Sequence, residues 1–236
     1  STHHRAAFPE SRERRARELE AMRIDFVTNL TSGAATPTGF GYTAHVSSNS
    51  FLGAIPQVQG NQAQTVSFTV YALDSTLTQG TAPDRDPAGG FSDATITEIT
   101  EVTVVDYLTG DTTTLDISGV ADGATVAVAY GISVTKNADG SVTFSGIQEG
   151  DQYGFSTGSG DFNAVAVDAH GSFDLGVFSI GQVEGVAGDL GDAVVTGDVG
   201  TLDADRGGGT GHQEDHAIRL HQGFHAHQQH CADAAS

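Results

Sequence analysis

The chain has 236 residues, with 30 acidic and 10 basic side chains, and its net charge is −20. A charge of this sign repels nucleic acid and anionic lipid, and no apolar run approaches the ~20 residues that span a bilayer. We therefore expect no nucleic-acid partner and no membrane insertion. The single Cys231 excludes an internal disulfide, and 31 glycines with no tryptophan are typical of a turn-rich β protein.

The first 22 residues form a basic segment that is predicted to be helix-like or disordered. Strand signals begin at Arg23, where RIDFVTNL alternates apolar Ile24 and Phe26 with polar residues. Later alternating segments are GFGYTAHV, TVSFTVYAL, ATITEITEVTVVDYL, ISVTKNADGSVTFSGI, FNAVAVDA and GSFDLGVFSIGQV. Thr109-Gly110 and the run from Asn137 to Gly140 predict hairpin turns.

Short strands with turns roughly every 8–12 residues predict an all-β fold, an antiparallel β-sandwich or jelly roll, over residues 23–183. The strand at 23–30 and the closing strand at 172–182 are expected to be antiparallel neighbours. Residues 184–236 are predicted to be a Gly/Asp-rich linker, or the first strand of a following unit, and a disordered, His-rich tail.

The acidic residues suggest two sites for Ca²⁺, a cation that takes oxygen ligands. The stretch GTAPDRDPAGGFSD at 80–93 is a loop, and it carries the first candidate ligands, which are Asp84, Asp86 and Asp93. The second candidate cluster lies near the ends of strands expected to be close together, and consists of Asp25, Asp161 and Asp174. The alternative for the loop is a solvated acidic turn without metal.

Catalytic signatures are weak, and we expect no enzymatic activity. Glu98 and Glu101 lie three positions apart. Because side chains alternate along a strand, an odd spacing places them on opposite faces, which argues against a glycosidase pair. Within the β unit the histidines are His45, interpreted as a surface or loop residue, and His170. The tail histidines His221, His225 and His227 have a spacing that allows adventitious metal binding.

Several consecutive segments resemble a repeat module of the large RTX-type adhesins that bacteria export by type I secretion. They are RIDFVTNLTSG, TVSFTVYALDST, ITEVTVVDYLTG and VTKNADGSVTFSGIQEGDQYGFSTGSGDFNAVAVDAHGSFDLGVFSI. The resemblance covers residues 22–183 and implies an extracellular, calcium-stabilised β-sandwich that acts as one link or tip of a cell-surface fibre. Its partner would be a surface ligand, such as a glycan or another cell. In this interpretation the export signal belongs to another part of a longer chain.

A carbohydrate-binding jelly-roll module is the alternative. Sugar sites usually present exposed aromatic rings, and the tyrosines Tyr42, Tyr71 and Tyr107 are placed by the sequence in strands. A hydrolase built on a β scaffold is a third hypothesis.

Overall fold

The computed structural model describes residues 21–28, 31–32, 40–58, 65–78, 81, 83–158, 160–170, 173–182, 192–196 and 216–218. Within these ranges every regular element is a strand, and all strand pairs are antiparallel. The strands are β1 (Ala21–Val27), β2 (Thr31–Ser32), β3 (Phe40–Gly41), β4 (Ser48–Val58), β5 (Val66–Ser75), β6 (Ala94–Thr97), β7 (Glu101–Val105), β8 (Thr112–Asp116), β9 (Thr125–Ala129), β10 (Ile132–Lys136), β11 (Val142–Ile147), β12 (Gln152–Ser156), β13 (Ala164–Ala169), β14 (Phe173–Gln182), β15 (Asp192–Thr196) and β16 (His216–Ile218). None of the described segments is a helix that could cross a membrane.

The strands form two large sheets, which confirms the predicted all-β sandwich. The first sheet has the order β16-β15-β1-β13-β5-β11-β10-β9. Along β5, residues 66–70 pair with β11 and residues 72–75 pair with β6. The second sheet has the order β14-β4-β12-β7-β8. A separate ribbon joins β2 to β3.

The main core lies between the two sheets and follows the two-residue period of the strands. On β1 the side chains of Met22, Ile24 and Phe26 point into it, and each is at most 3% exposed. Its centre is aromatic, with contacts among Phe26, Phe51, Phe68, Phe144, Tyr153, Phe155, Phe162 and Phe173. Each such ring stabilises the fold by about 1.5–3 kcal/mol through burial.

A second, smaller cluster lies on the outer face of the first sheet. Tyr71 and Leu73 of β5 and Ala164 and Ala166 of β13 are buried there. Phe91, Ala94 and Ile96 pack against these four side chains. Residues 83–93, here called the cover loop, therefore shield this part of the sheet, and the middle strands are buried on both faces.

The two predicted hairpins are confirmed. Thr109-Gly110 lies between β7 and β8, and Gly110 has a φ of 74°. The run from Asn137 to Gly140 lies between β10 and β11, where Gly140 has a φ of 92°. Glycine tolerates this left-handed backbone because it lacks a Cβ atom.

The predicted pairing of the first and closing strands is wrong. β1 pairs with β13 and β15, whereas β14 pairs with β4 in the second sheet. The chain crosses between the sheets after β13, and on the apolar face of β1 the ring of Phe26 packs against Phe51 of β4 and against Phe162. Local alternation marks both strands but does not reveal which sheet each joins.

The first sheet also extends past the predicted boundary at residue 183. β15 lies in the stretch predicted to be a linker, and it pairs with β1 from Arg23 to Val27. β16 lies in the predicted tail and pairs with β15. Residues 1–20, which carry the predicted basic segment, and most of the His-rich tail lie outside the described residues.

Candidate functional sites

The guanidinium of Arg23 connects three separate segments on the outer face of the first sheet. Its Nη1 donates hydrogen bonds to Asp93 Oδ1 at 2.7 Å and to the carbonyl oxygen of Asp84 at 2.9 Å. Its Nη2 donates to Ser75 Oγ at 2.6 Å and to Asp25 Oδ1 at 3.1 Å, and its Nε lies 3.0 Å from Asp25 Oδ2. We call these five residues the guanidinium site.

Arg23 is the largest side chain in the described structure that is fully buried. Burial alone lowers the pKa of a guanidinium, but the carboxylates of Asp25 and Asp93 outweigh burial, and the pKa of Arg23 is raised above its ordinary value. Arg23 therefore carries a buried positive charge that is paired with two carboxylates. Sequence reasoning recognised Arg23 only as the start of a strand. The signal available was the Arg-x-Asp spacing, which places Arg23 and Asp25 on one face of β1.

The carboxylates of the cover loop are occupied by donors from the protein itself. Asp84 Oδ2 accepts hydrogen bonds from the backbone N–H and the hydroxyl of Ser92, both at 2.7 Å, and Asp84 Oδ1 accepts from the Asp86 N–H. These bonds, those from Ser92 above all, hold the pKa of Asp84 below its ordinary value. Asp93 Oδ2 accepts from the N–H of Asp84, and Asp86 Oδ1 accepts from the N–H groups of Ala88 and Gly89.

The second predicted cation cluster is not brought together. Asp25 is buried against Arg23 in the first sheet, whereas Asp174 pairs with Gln57 in the second sheet. Asp161 is exposed at the end of the sandwich that contains Thr97. The separation has the same cause as the wrong strand pairing, because β14 belongs to the second sheet. Over the described ranges, no group of three or more His, Cys, Asp or Glu residues is arranged to hold a metal ion.

The two histidines of the β unit lie beside carboxylates. His45 Nε2 is 3.8 Å from Asp25 Oδ1, and its side chain is 16% exposed. The residue lies in the connection between β3 and β4, in agreement with the prediction of a surface or loop residue. Its ring packs against Tyr42, whose hydroxyl donates to the carbonyl oxygen of Leu77. His170 Nε2 lies 3.4 Å from Thr69 Oγ1 and 3.8 Å from Asp168 Oδ2.

The two glutamates named in the sequence analysis each contact one side chain on a neighbouring segment. Glu98 is exposed and forms an ion pair with Lys136 at 2.7 Å. Glu101 accepts a hydrogen bond from the Ser156 hydroxyl. His221, His225 and His227 lie outside the described residues.

Three large apolar side chains are exposed on turns at one end of the sandwich. Tyr107 and Leu108 lie in the β7–β8 turn and are 50% and 72% exposed, and Tyr130 lies in the β9–β10 turn and is 41% exposed. They are the exposed large hydrophobic residues of the described part of the chain, and we call them the turn surface. Sequence reasoning placed Tyr107 in a strand and did not single out Tyr130.

The connection from β11 to β12 passes between these two turns and brings them to the same end. A Cβ atom on Gly150 would lie 2.8 Å from the Tyr107 ring, and one on Gly146 would lie 2.5 Å from the carbonyl oxygen of Gly131. The Tyr107 N–H donates to Asp151 Oδ1, and burial raises the pKa of Asp151. A larger residue at Gly150 would clash with the Tyr107 ring and one at Gly146 would clash with the Gly131 backbone, so both turns lie close to this part of the chain.

Tyr130 also adopts a strained backbone conformation. Its φ is +54°, and it is the non-glycine residue with positive φ among the described residues. A β-carbon in this region costs roughly 1–2 kcal/mol. The turn thus holds an exposed aromatic ring at a position where glycine or asparagine would be more stable.

Comparisons of this chain with protein-family models, with curated proteins and with solved structures find no match.

Proposed function

We propose that the chain is a non-enzymatic module of a bacterial surface adhesin of the RTX type, exported by type I secretion and exposed outside the cell. Two observations support this proposal. The strand segments from RIDFVTNL to FDLGVFSI resemble such modules in order, and the turn surface offers a place for a ligand. The turn surface carries the proposal, because it gives an otherwise acidic sandwich one apolar contact region.

Binding through turns at one end suits an adhesion module. Strands provide a rigid scaffold, and turns at its end are free to contact another surface. Exposed tyrosine and leucine side chains lose unfavourable contact with water when a partner covers them. The net charge of −20 disfavours anionic partners, so the ligand is expected to be neutral or basic.

The alternative function is a carbohydrate-binding module, and the exposure of Tyr107 and Tyr130 favours it. A sugar ring stacks on an aromatic face, while its hydroxyl groups bond to polar neighbours such as Thr109 and Asp111 in the same turn. The tyrosines that the sequence placed in strands do not contribute equally. Tyr71 is buried under the cover loop, and Tyr42 is partly buried.

Binding of the labelled protein to a panel of bacterial and animal cells tests the proposal. We expect Tyr107→Ala and Tyr130→Asn to weaken binding by about tenfold each, which corresponds to ~1.4 kcal/mol. Asp122→Ala is the control, because Asp122 is exposed in the loop from β8 to β9 at the other end of these strands. Equal binding by all variants, or no binding to any cell of the panel, would contradict the proposal.

An array of immobilised neutral glycans separates the two functions. Loss of glycan binding in Tyr107→Ala and Tyr130→Asn would support the carbohydrate-binding module. Cell binding that depends on the turn surface without any glycan signal would support an adhesin that recognises a protein.

A further inference from the structure

We propose that the guanidinium of Arg23 is the built-in cation of the cover loop and takes the structural role that the sequence assigned to Ca²⁺. The positive charge comes from the start of β1, while the loop lies 61 to 70 residues further along the chain. A single side chain fixes Asp84 and Asp93 of the loop to β1 and to the end of β5, where Ser75 accepts its fourth hydrogen bond.

The carboxylates of the loop do not suit calcium in this arrangement. Ca²⁺ takes six to eight oxygen ligands. Both carboxylate oxygens of Asp84 and of Asp93 already accept hydrogen bonds, and so does Oδ1 of Asp86. A metal ion that used these oxygens would compete with the loop N–H groups for their lone pairs, and at Asp93 it would lie close to the guanidinium of Arg23. A metal cation and a guanidinium that share one carboxylate repel each other.

The geometry instead suits a guanidinium. A guanidinium is planar and carries several N–H donors, and here these donors reach carboxylate, carbonyl and hydroxyl acceptors on different segments. A lysine in the same place has a single charged nitrogen, which cannot bond to Ser75 and Asp93 from the two ends of a fork. The arrangement thus depends on the shape of the side chain as well as on its charge.

The consequence concerns the apolar cluster beneath the loop. Phe91 packs edge-on against Tyr71 with ring centroids 5.3 Å apart, and Ala94 and Ile96 complete the cover. If Arg23 holds the loop, this cluster stays covered whether or not calcium is present. The loop then differs from a metal-gated loop, which opens when the ion is removed.

Cleavage by trypsin after Arg85 measures how often the cover loop opens, because Arg85 lies in this loop and trypsin cuts after arginine. Arg23 and Lys136, the neighbouring basic residues along the chain, are buried. Cleavage after Arg85 in the full chain reports how often the loop opens when closing is faster than cleavage. Fragments are identified by mass, a short unstructured arginine peptide serves as internal standard for trypsin activity, and Arg85→Gln confirms which fragments come from this bond.

We expect the wild-type protein to be cut after Arg85 at the same rate in chelator and in millimolar Ca²⁺, relative to the standard. Arg23→Lys and Asp93→Asn are expected to raise the rate by about tenfold in both conditions. Glu98→Gln, which removes an exposed ion pair to Lys136, is the matched control and is expected to leave the rate unchanged.

Two results would overturn the proposal. A wild-type rate that falls severalfold on addition of Ca²⁺ would show that the loop binds the metal. An unchanged rate in both Arg23→Lys and Asp93→Asn would show that the guanidinium does not hold the loop. Because Asp93 is partly exposed, Asp93→Asn is expected to fold even where a change at Arg23 is too disruptive.

Discussion

Arg23 Nη1 lies 2.7 Å from Asp93 Oδ1, and this contact joins the start of β1 to the end of the cover loop. Both groups are charged, and the arginine side chain has no exposed surface. A buried ion pair of this kind gives little net stability compared with an apolar replacement, but loss of one partner leaves the other charge buried and unpaired. The position of Arg23 is therefore sensitive to substitution.

We expect Arg23→Met to lower the free energy of unfolding by about 3–5 kcal/mol, because Asp25 would remain buried without its cation. Glu98→Gln is expected to cost only ~0.2–1 kcal/mol, since the side chain of Glu98 is 58% exposed and its ion pair is screened by water. Urea denaturation of both variants measures the difference. Equal losses would show that the buried charge of Arg23 contributes no more to the free energy of unfolding than the exposed ion pair of Glu98.

Tyr153 places a hydroxyl group in the apolar core, and its removal tests how this polar group affects stability. Its ring is fully buried among Phe51, Phe68 and Phe144, and its hydroxyl has no hydrogen-bond partner among the described residues. A buried hydroxyl without a partner costs about 1–3 kcal/mol. We therefore expect Tyr153→Phe to raise the free energy of unfolding, by about 1 kcal/mol.

Tyr42→Phe is the matched control, because the hydroxyl of Tyr42 donates to the Leu77 carbonyl at 2.7 Å. Removal of this bond is expected to lower the free energy of unfolding by about 0.5–1.5 kcal/mol. The same chemical change thus has opposite signs at the two positions. A loss of stability in both variants would mean that the hydroxyl of Tyr153 has a partner in solution.

Gly154 allows β12 to approach β4 closely. A Cβ atom at this position would lie 2.6 Å from the carbonyl oxygen of Phe51, and backbone atoms cannot move aside as a flexible side chain can. We expect Gly154→Ala to lower the free energy of unfolding by about 1–3 kcal/mol. Gly119→Ala has open space around the added methyl group and is expected to change stability by less than about 1 kcal/mol. Thermal melts of the two variants compare these effects.

Local features of the fold were predictable from sequence, whereas relations between distant segments were not. The hairpin at Asn137 to Gly140 follows from a turn sequence between two alternating strands, and both signals lie within a few residues. The sheet that contains β14 depends on where the chain crosses after β13, and alternation carries no information about that crossing. The strand at 23–30 was therefore recognised correctly but was paired with the wrong neighbour.

The candidate sites show the same limit. The aspartates of the loop at 80–93 are predicted from sequence as Ca²⁺ ligands. In the structure their carboxylates accept hydrogen bonds from N–H groups of the loop, and Asp93 also accepts one from the guanidinium of Arg23. The donor is a side chain on a different strand, so the sequence of the loop alone pointed to a metal ion. Tyr130 was missed because its exposure and positive φ follow from a two-residue turn whose type the sequence Ala-Tyr-Gly-Ile does not indicate.

The last prediction uses two aspartates whose pKa values shift in opposite directions. Hydrogen bonds from Ser92 and Asp86 lower the pKa of Asp84, so its contribution to stability is present above the ordinary pKa of aspartate and is lost as the pH falls through its folded value. Burial raises the pKa of Asp151, so the folded state binds this proton more tightly than the unfolded chain. Stability from Asp151 is therefore greatest in acid and falls as the pH rises above the ordinary aspartate value.

Unfolding in urea at a series of pH values, for the wild type and for Asp84→Asn and Asp151→Asn, separates the two effects. The stability lost in Asp84→Asn relative to the wild type is expected to be larger at neutral pH than in acid, because the variant lacks the charged acceptor. The stability lost in Asp151→Asn is expected to be smaller at neutral pH than in acid, because the variant carries no buried charge. The strong negative charge of the whole chain affects all three proteins alike, so the differences between them report the two sites. If the two variants followed the same trend with pH, the opposite environments of Asp84 and Asp151 would be contradicted.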